Sequence, residues 1–318
     1  MSKLSGKYLA SDLITLDLKG SDPLIEEVLF ERDNTILLGK EKAGKSIFAM
    51  QMACALTSGA TFLNQYKCTS SYDVVYIQSE GKLSGTRDNL KNMTRTVDCD
   101  FSRLLYLYYP SISLDTQQGF NEIIAQVSSW RRPEVIFIDP LYMSMAGDLK
   151  DDVASRKMVE NLRILSETYQ ATIVLVHHAH RTIRMKDKSI VDEGDDSIFG
   201  SFVWKAYPDN IILIEKVSGN RYQRKISCAT QRSGKVLEGV DITLIEPTPL
   251  YFKIKDDSKP IDDLVLTNTT NESKTADQIR RIIDRSYRHT MEAYHRLESI
   301  GKVTRVNPHK NPALFKLT

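Results

Sequence analysis

No stretch limits the fold of this chain more than residues 35–46. An apolar run, Ile36, Leu37 and Leu38, leads into Gly39, Lys40, Glu41, Lys42, Ala43, Gly44, Lys45 and Ser46. That is the spacing of a phosphate-binding loop, Gly, four residues, then Gly-Lys-Ser. The run before it reads as a buried strand and residues 47–56 read as a helix, the context the motif needs. The two glycines let successive backbone N–H groups turn inward toward an anion. The helix aims its positive end at the same place. Residues 39–46, together with Ile47, are therefore expected to wrap the phosphates of a nucleoside triphosphate. Lys45 reaches the β- and γ-phosphates, and Ser46 gives its hydroxyl to Mg²⁺.

The rest of the chain supplies a setting for that loop. Its 318 residues, 41% of them hydrophobic, suffice for one large domain with a buried core and a second, smaller one. Residues 1–34 read as a lead-in, with 22–30 as a short helix. Strands are expected at 73–78, 104–108, 135–139, 172–178, 210–215 and 224–229, and a broken one over 241–255. Helices are expected at 85–95, 119–130 and 157–169. Strands alternating with helices predict an α/β fold with a twisted, mainly parallel sheet, and the near-continuous apolar strands predict a sheet covered on both faces. Domain boundaries follow at 1–255 for this core, 256–274 for a polar linker and 275–318 for a terminal module. No apolar run reaches bilayer length, and the polar start lacks a signal-peptide core. With Cys54, Cys68, Cys99 and Cys228 in no paired motif, a soluble, cytoplasmic chain with free thiols is expected.

The net charge of +2 hides an asymmetry. Residues 272–318 hold ten basic and five acidic residues, leaving 33 basic and 36 acidic elsewhere. A basic end on a near-neutral body points to a polyanionic partner. Within it, helices at 275–283 and from Ser286 or His289 onward, closed at Gly301, precede a hairpin of 302–306 with 313–317. That order predicts a small winged-helix-like domain; a helical cap packed on the core is the alternative.

Four further positions carry candidate chemistry. Asp139 closes the strand 135–138, where a carboxylate can hold Mg²⁺ opposite Ser46. Glu80 follows the strand 73–78. If that strand neighbours the phosphate-loop strand, Glu80 faces the γ-phosphate as general base for an attacking water. His178, outermost of His177 and His178, can hydrogen-bond the γ-phosphate. A metal site made with His180 is disfavoured, because adjacent strand residues point to opposite faces. Arg232, just past the strand 224–229, is a candidate finger for a neighbouring subunit's γ-phosphate, with Lys216, Arg221 and Lys235 as rivals. The charged stretch 181–197 carries Arg181, Arg184, Lys186 and Lys188 in a basic half that could track a nucleic-acid backbone; a solvated loop is the alternative.

Taken together, residues 39–46, Ser79-Glu80, Ile138-Asp139 and Val176-His177-His178 resemble the RecA/KaiC-like ATPases. They look closest to the RepA-like hexameric replicative helicases of plasmids and phages and the related AAA_25 family, over about residues 20–250. The resemblance implies a RecA-like core and ATP hydrolysis with Mg²⁺ at the interfaces of a homo-oligomer, a hexameric ring favoured. Single-stranded DNA would pass through the central channel, faced by 143–153 and 181–197. Lys45 and Ser46 become the Walker A pair, Glu80 the catalytic carboxylate, Asp139 the Walker B acid, His178 the phosphate sensor and Arg232 the finger. Two positions depart from the pattern: Thr230 stands where KaiC-like chains often carry a lysine two residues before the finger, and Pro140 follows Asp139 where some relatives have a second acid. The resulting expectation is a DNA-binding motor of helicase or translocase type. A nucleotide-dependent switch or DNA-binding regulator without unwinding activity is the alternative. A small-molecule kinase is disfavoured for want of a lid-like arginine pattern.

Overall fold

The computed structural model describes residues 9–15, 20–179, 200–218, 220–232, 237, 239–246, 248–255, 261–269, 273–283, 287–307 and 313–318. Helix α1 (Ala10–Thr15) and a hairpin of β1 (Pro23–Ile25) and β2 (Leu29–Phe30) precede β3 (Asn34–Gly39) and α2 (Lys45–Ser58). Then come β4 (Val74–Gln78), α3 (Leu83–Met93), β5 (Leu104–Tyr108), α4 (Gln117–Ser128), β6 (Val135–Asp139), α5 (Asp152–Tyr169), β7 (Thr172–His178) and α6 (Val203–Ala206). Strands β8 (Asn210–Lys216), β9 (Gln223–Gln231), β10 (Val240–Ile245) and β11 (Tyr251–Ile254) complete the core.

One sheet of nine strands, in the order β11-β10-β9-β8-β3-β7-β6-β4-β5, organises this part. Every neighbouring pair from β8 to β5 is parallel, and β9, β10 and β11 extend the sheet antiparallel. The parallel strands β3, β7, β6 and β4 lie inside the sheet, with β5 at its edge, so these four are apolar at almost every position. Val135, Ile136, Phe137 and Ile138 of β6 are all 0% exposed. Their alternate side chains feed two cores, one under α2 and one under α4 and α5. Trp204 of α6 closes the second, its indole N–H donating to Ser155 Oγ at 3.0 Å.

Helix α2 is covered on nearly every side. The sheet lies under it and β11 lies beside it, where the Gln51 amide donates to Phe252 O at 2.8 Å and accepts from Phe252 N at 2.6 Å. That exchange gives one residue of β11 the partners a further strand would have given. Phe252 thereby stands against the loop that starts α2.

Three local expectations are corrected. Residues 22–30 form the β1–β2 hairpin rather than a helix: Leu24, Ile25, Val28 and Leu29 fit helical spacing, but Glu27 at φ 62 turns the chain back. Helix α5 starts five residues earlier than its apolar spacing suggests, because Asp151 caps it by accepting from Val153 N at 2.7 Å. The segment 256–274, read as linker, contains α7 (Ile261–Asn268).

Helix α7 belongs to the terminal unit, with β12 (Lys274–Thr275), α8 (Ala276–Ile283), α9 (Tyr287–Ser299), β13 (Val303–Arg305) and β14 (Leu314–Leu317). Val265 of α7 joins Ile279, Ile283, Tyr294, Leu297 and Phe315 in a separate small core. Thr275 and Gln278 exchange side-chain and backbone hydrogen bonds of 3.1 and 2.7 Å, a capping box that starts α8. The three strands are antiparallel in the order β12-β14-β13. Arg281 of α8 covers the Tyr222 ring at 5.5 Å, where this unit meets the strand extension of the core. No helix among the described residues is long and apolar enough to cross a membrane.

Candidate active site

The four strands β3, β7, β6 and β4 are consecutive in the sheet and parallel, so their carboxyl ends form a row. Gly39 is level with His178, and Asp139 with Gln78. The crevice beyond such ends is where parallel α/β sheets hold ligands.

The loop at the end of β3 is shaped by two close approaches. A Cβ on Gly39 would lie 2.5 Å from Ile214 O, and one on Gly44, at φ 97, would lie 2.7 Å from the Phe252 ring. Neither position admits a side chain, and Gly44 has a backbone conformation that only glycine adopts cheaply. Lys42 is also left-handed, at φ 59. Such alternation turns successive N–H groups to one side and makes a concave anion cradle.

Lys45, the first residue of α2, curls back over this cradle. Its ammonium donates to Gly39 O at 2.8 Å and Lys40 O at 3.1 Å, and it stands 3.4 Å from His178 Nδ1. An ammonium has no lone pair, so Nδ1 accepts and the imidazole proton belongs on Nε2. Burial, then the Lys45 charge, lowers the His178 pKa against the pull of Glu80 and Glu41, which keeps the ring neutral near pH 7. Burial likewise lowers Lys45 to about 8, opposed chiefly by Asp139 and then Glu80.

That value sets a pH dependence. The unfolded chain keeps the ordinary, higher lysine pKa, so between about 8 and 10.5 it binds the extra proton and the contribution of Lys45 to stability rises with pH. Triphosphate binding has the opposite dependence, because it requires the charged form. Affinity for ADP or ATP is expected to weaken by up to about tenfold per pH unit above pH 8, with up to one proton taken up on binding. Calorimetric titrations at pH 8.5 in buffers of different ionisation enthalpy measure that proton. An affinity flat from pH 7 to 9.5 contradicts it.

Asp139 is buried at the end of β6. Ser46 donates to its Oδ1 at 3.1 Å and Tyr76 to its Oδ2 at 2.6 Å. Burial raises its pKa, and the hydrogen bonds from Tyr76 and Ser46 act against that. A hydroxyl and a carboxylate in contact are the hard-oxygen pair that Mg²⁺ takes alongside phosphate oxygens and waters, so the donor set fits that ion. Among the described residues no group of three or more His, Cys, Asp or Glu gathers as a metal site.

Glu80 does not sit where the sequence condition put it. Strand β4 is separated from β3 by β7 and β6, because the chain lays β4 down on the far side of strands added later. The exposed Glu80 carboxylate stands next to Asp139 in the row, and Tyr142 bridges it to the rest. The phenol donates to Glu80 Oε2 at 2.9 Å, and its ring meets His178 edge-on with centroids 5.2 Å apart. His177 points to the opposite face, 6.3 Å from the Trp204 ring. Ser79 and Ser144, joined at 2.8 Å between hydroxyls, tie the turn after β4 to the turn after β6.

Arg232 lies at the other end of the sheet. A bulge between Ile211 and Ile212 shifts the end of β9, and Arg232 emerges where β8 begins, 3.4 Å from Asp209 Oδ1. Its rivals Lys216 and Arg221 lie at the phosphate-loop end, Arg221 in a 2.9 Å ion pair with Glu246. Lys235 and the basic candidates Arg181, Arg184, Lys186 and Lys188 lie outside the described residues. Sequence reading missed Tyr76, Tyr142 and Arg224. The Arg224 guanidinium is buried and donates through Nε to Ala43 O at 2.7 Å. No local pattern distinguishes these three.

A glycine cradle with Lys45 and Ser46 at one strand end, and Asp139 two strands away across the His178 strand in contact with Ser46, define a RecA/KaiC-like P-loop ATPase core. The chain matches the AAA_25 family (AAA domain) over residues 9–182, more than half its length, and belongs to that family. No curated protein matches it. Among solved structures, the KaiC-like protein PH0186 of Pyrococcus horikoshii is similar with a TM-score of 0.50 at 16% identity, over 75% of this chain and 98% of that one. The RadB recombinase gives 0.46 at 14%, over 70% and 90%, and a further solved ATPase domain gives 0.49 at 14%, over 68% and 83%.

Proposed function

We propose that the chain is a Mg²⁺-dependent ATPase that works as a homo-oligomer on DNA, a helicase or translocase of the type that replicates plasmids, phages or other mobile elements. The observation that supports it most is the single row holding Lys45, His178, Ser46, Asp139 and Glu80. Bound Mg²⁺ would supply charge neutralisation at the phosphates. Ser46 and Asp139 would hold it, and Lys45 would leave its two carbonyl partners for phosphate oxygens. Glu80 would take the proton of the attacking water, and His178 would offer its Nε2–H to the γ-phosphate.

The terminal unit supports the DNA part of the reading. Its order of helix, strand, two helices and hairpin suits a winged helix, with α9 entering a groove of duplex DNA. The basic residues 181, 184, 186 and 188 would follow a single strand through a ring, with six subunits as the favoured number.

Unwinding of a forked duplex tests this directly. The wild-type chain is expected to separate strands only with ATP and to assemble in the presence of nucleotide and single-stranded DNA. Lys45→Ala should lose unwinding, with hydrolysis down about 10²–10³-fold. Equal unwinding by that variant overturns the motor. Nucleotide-dependent assembly or DNA binding with slow turnover and no strand separation would assign the chain to the switch class instead.

A further inference from the structure

We propose that Arg224 of β9 is a positioning residue for nucleotide binding, which aims the Gly44 N–H at the phosphates by holding the Ala43 carbonyl outward. The inference rests on the nucleotide-binding reading above and extends it to a residue outside the motif.

Arg224 is 4% exposed, and its guanidinium hydrogen bonds go to backbone carbonyls: Nε to Ala43 O at 2.7 Å, and one terminal nitrogen to Arg221 O at 2.8 Å and Gln223 O at 2.7 Å. No carboxylate is among these partners. The nearby Glu246 is ion-paired with Arg221. A buried cation whose hydrogen bonds go to carbonyls costs desolvation that the attraction of Glu246 offsets only in part. Burial lowers the Arg224 pKa against the opposing pull of Glu246.

Peptide geometry gives it a use. Ala43 C=O and Gly44 N–H belong to one planar trans peptide, so the two bonds point in opposite directions. The Arg224 donor fixes the carbonyl toward β9, away from the cradle. The Gly44 N–H is thereby fixed toward the cradle. From the other side, Phe252 closes the space beside Gly44 Cα and limits the room in which that peptide can rotate. The far end of the guanidinium is held by Arg221 O in the β8–β9 connection and Gln223 O at the start of β9. A charge-assisted hydrogen bond on one side of a peptide thus preorganises a donor on the other.

A donor that serves ground state and transition state alike changes affinity and not turnover. Arg224→Gln is therefore expected to weaken ADP and ATP binding by about tenfold or more, with kcat at saturation within a factor of two or three. Arg224→Lys, which keeps a cationic donor on the same stem, should recover most of the lost affinity and serves if the glutamine variant does not fold. Fluorescent-nucleotide titration and steady-state hydrolysis read both numbers. Unchanged affinity in Arg224→Gln overturns the inference, and so does a kcat loss at unchanged affinity. Equal weakening in the lysine variant points to packing and overturns it too. If the wild-type chain itself binds neither nucleotide, the functional reading falls, and this inference with it.

Discussion

Replacing Glu80 with glutamine should lower ATP turnover at saturation by about 10²–10⁴-fold while leaving nucleotide affinity within a few-fold of wild type. The substitution keeps the size of the side chain and removes only its ability to take a proton. The structure gives the carboxylate a defined place. Tyr142 donates to Oε2 at 2.9 Å, and Oε1 carries no protein hydrogen bond among the described residues, so one oxygen orients the group and the other faces solvent. Tyr142 stays a donor across the working range, since burial and then the Glu80 bond push its pKa up to about 12. An amide in place of the carboxylate can still accept the Tyr142 hydrogen bond, so the geometry survives while the base is lost. Single-turnover hydrolysis measured beside nucleotide titration separates chemistry from binding. A turnover within threefold of wild type removes Glu80 from the role of base.

How much of this was legible beforehand depends on whether the information is local. Residues 39–46 could be read because a phosphate cradle needs glycine at fixed positions, and the strands could be read because central parallel strands are apolar throughout. Asp139 and His178 were visible for a related reason: each is a polar residue closing a buried run. Strand order was not legible. The sequence places 74–78 next after the loop helix, yet β7 and β6, formed later in the chain, lie between it and β3. Tyr142 and Arg224 were invisible because what makes them matter is a partner 62 residues away in one case and 181 in the other. The hairpin at 23–30 failed for a different reason, since its apolar spacing suits two periods and a left-handed Glu27 decides between them.

Arg232 carries the largest expected effect. Arg232→Ala should cut hydrolysis by about 10³–10⁵-fold in the assembled protein, the range over which an arginine finger acts. As a finger it would have to act outside its own subunit's site. Arg232 lies where β8 begins, beside the amino end of β3, while Gly39 lies at the carboxyl end of β3. At about 3.3 Å per residue the six residues of β3 separate them by roughly 17 Å, beyond the reach of an arginine side chain. Its guanidinium is 57% exposed and held by Asp209 at 3.4 Å, a pairing weak enough for a stronger anion to displace. It can therefore meet a γ-phosphate only if another copy of the chain presents one. Mixing supplies the decisive measurement. A subunit with Arg232→Ala keeps an intact Glu80, and a subunit with Glu80→Gln keeps an intact Arg232. Each is nearly inactive alone, yet where the first offers its phosphate-loop face to the second, a complete site re-forms. Co-assembled mixtures should recover a substantial fraction of wild-type hydrolysis, greatest near equal proportions. Full activity of Arg232→Ala alone, or co-assembly without recovery, excludes Arg232 as the finger. Because Lys216 and Arg221 stand at the phosphate-loop end of their own subunit, loss of activity on replacing either should not be rescued in this way.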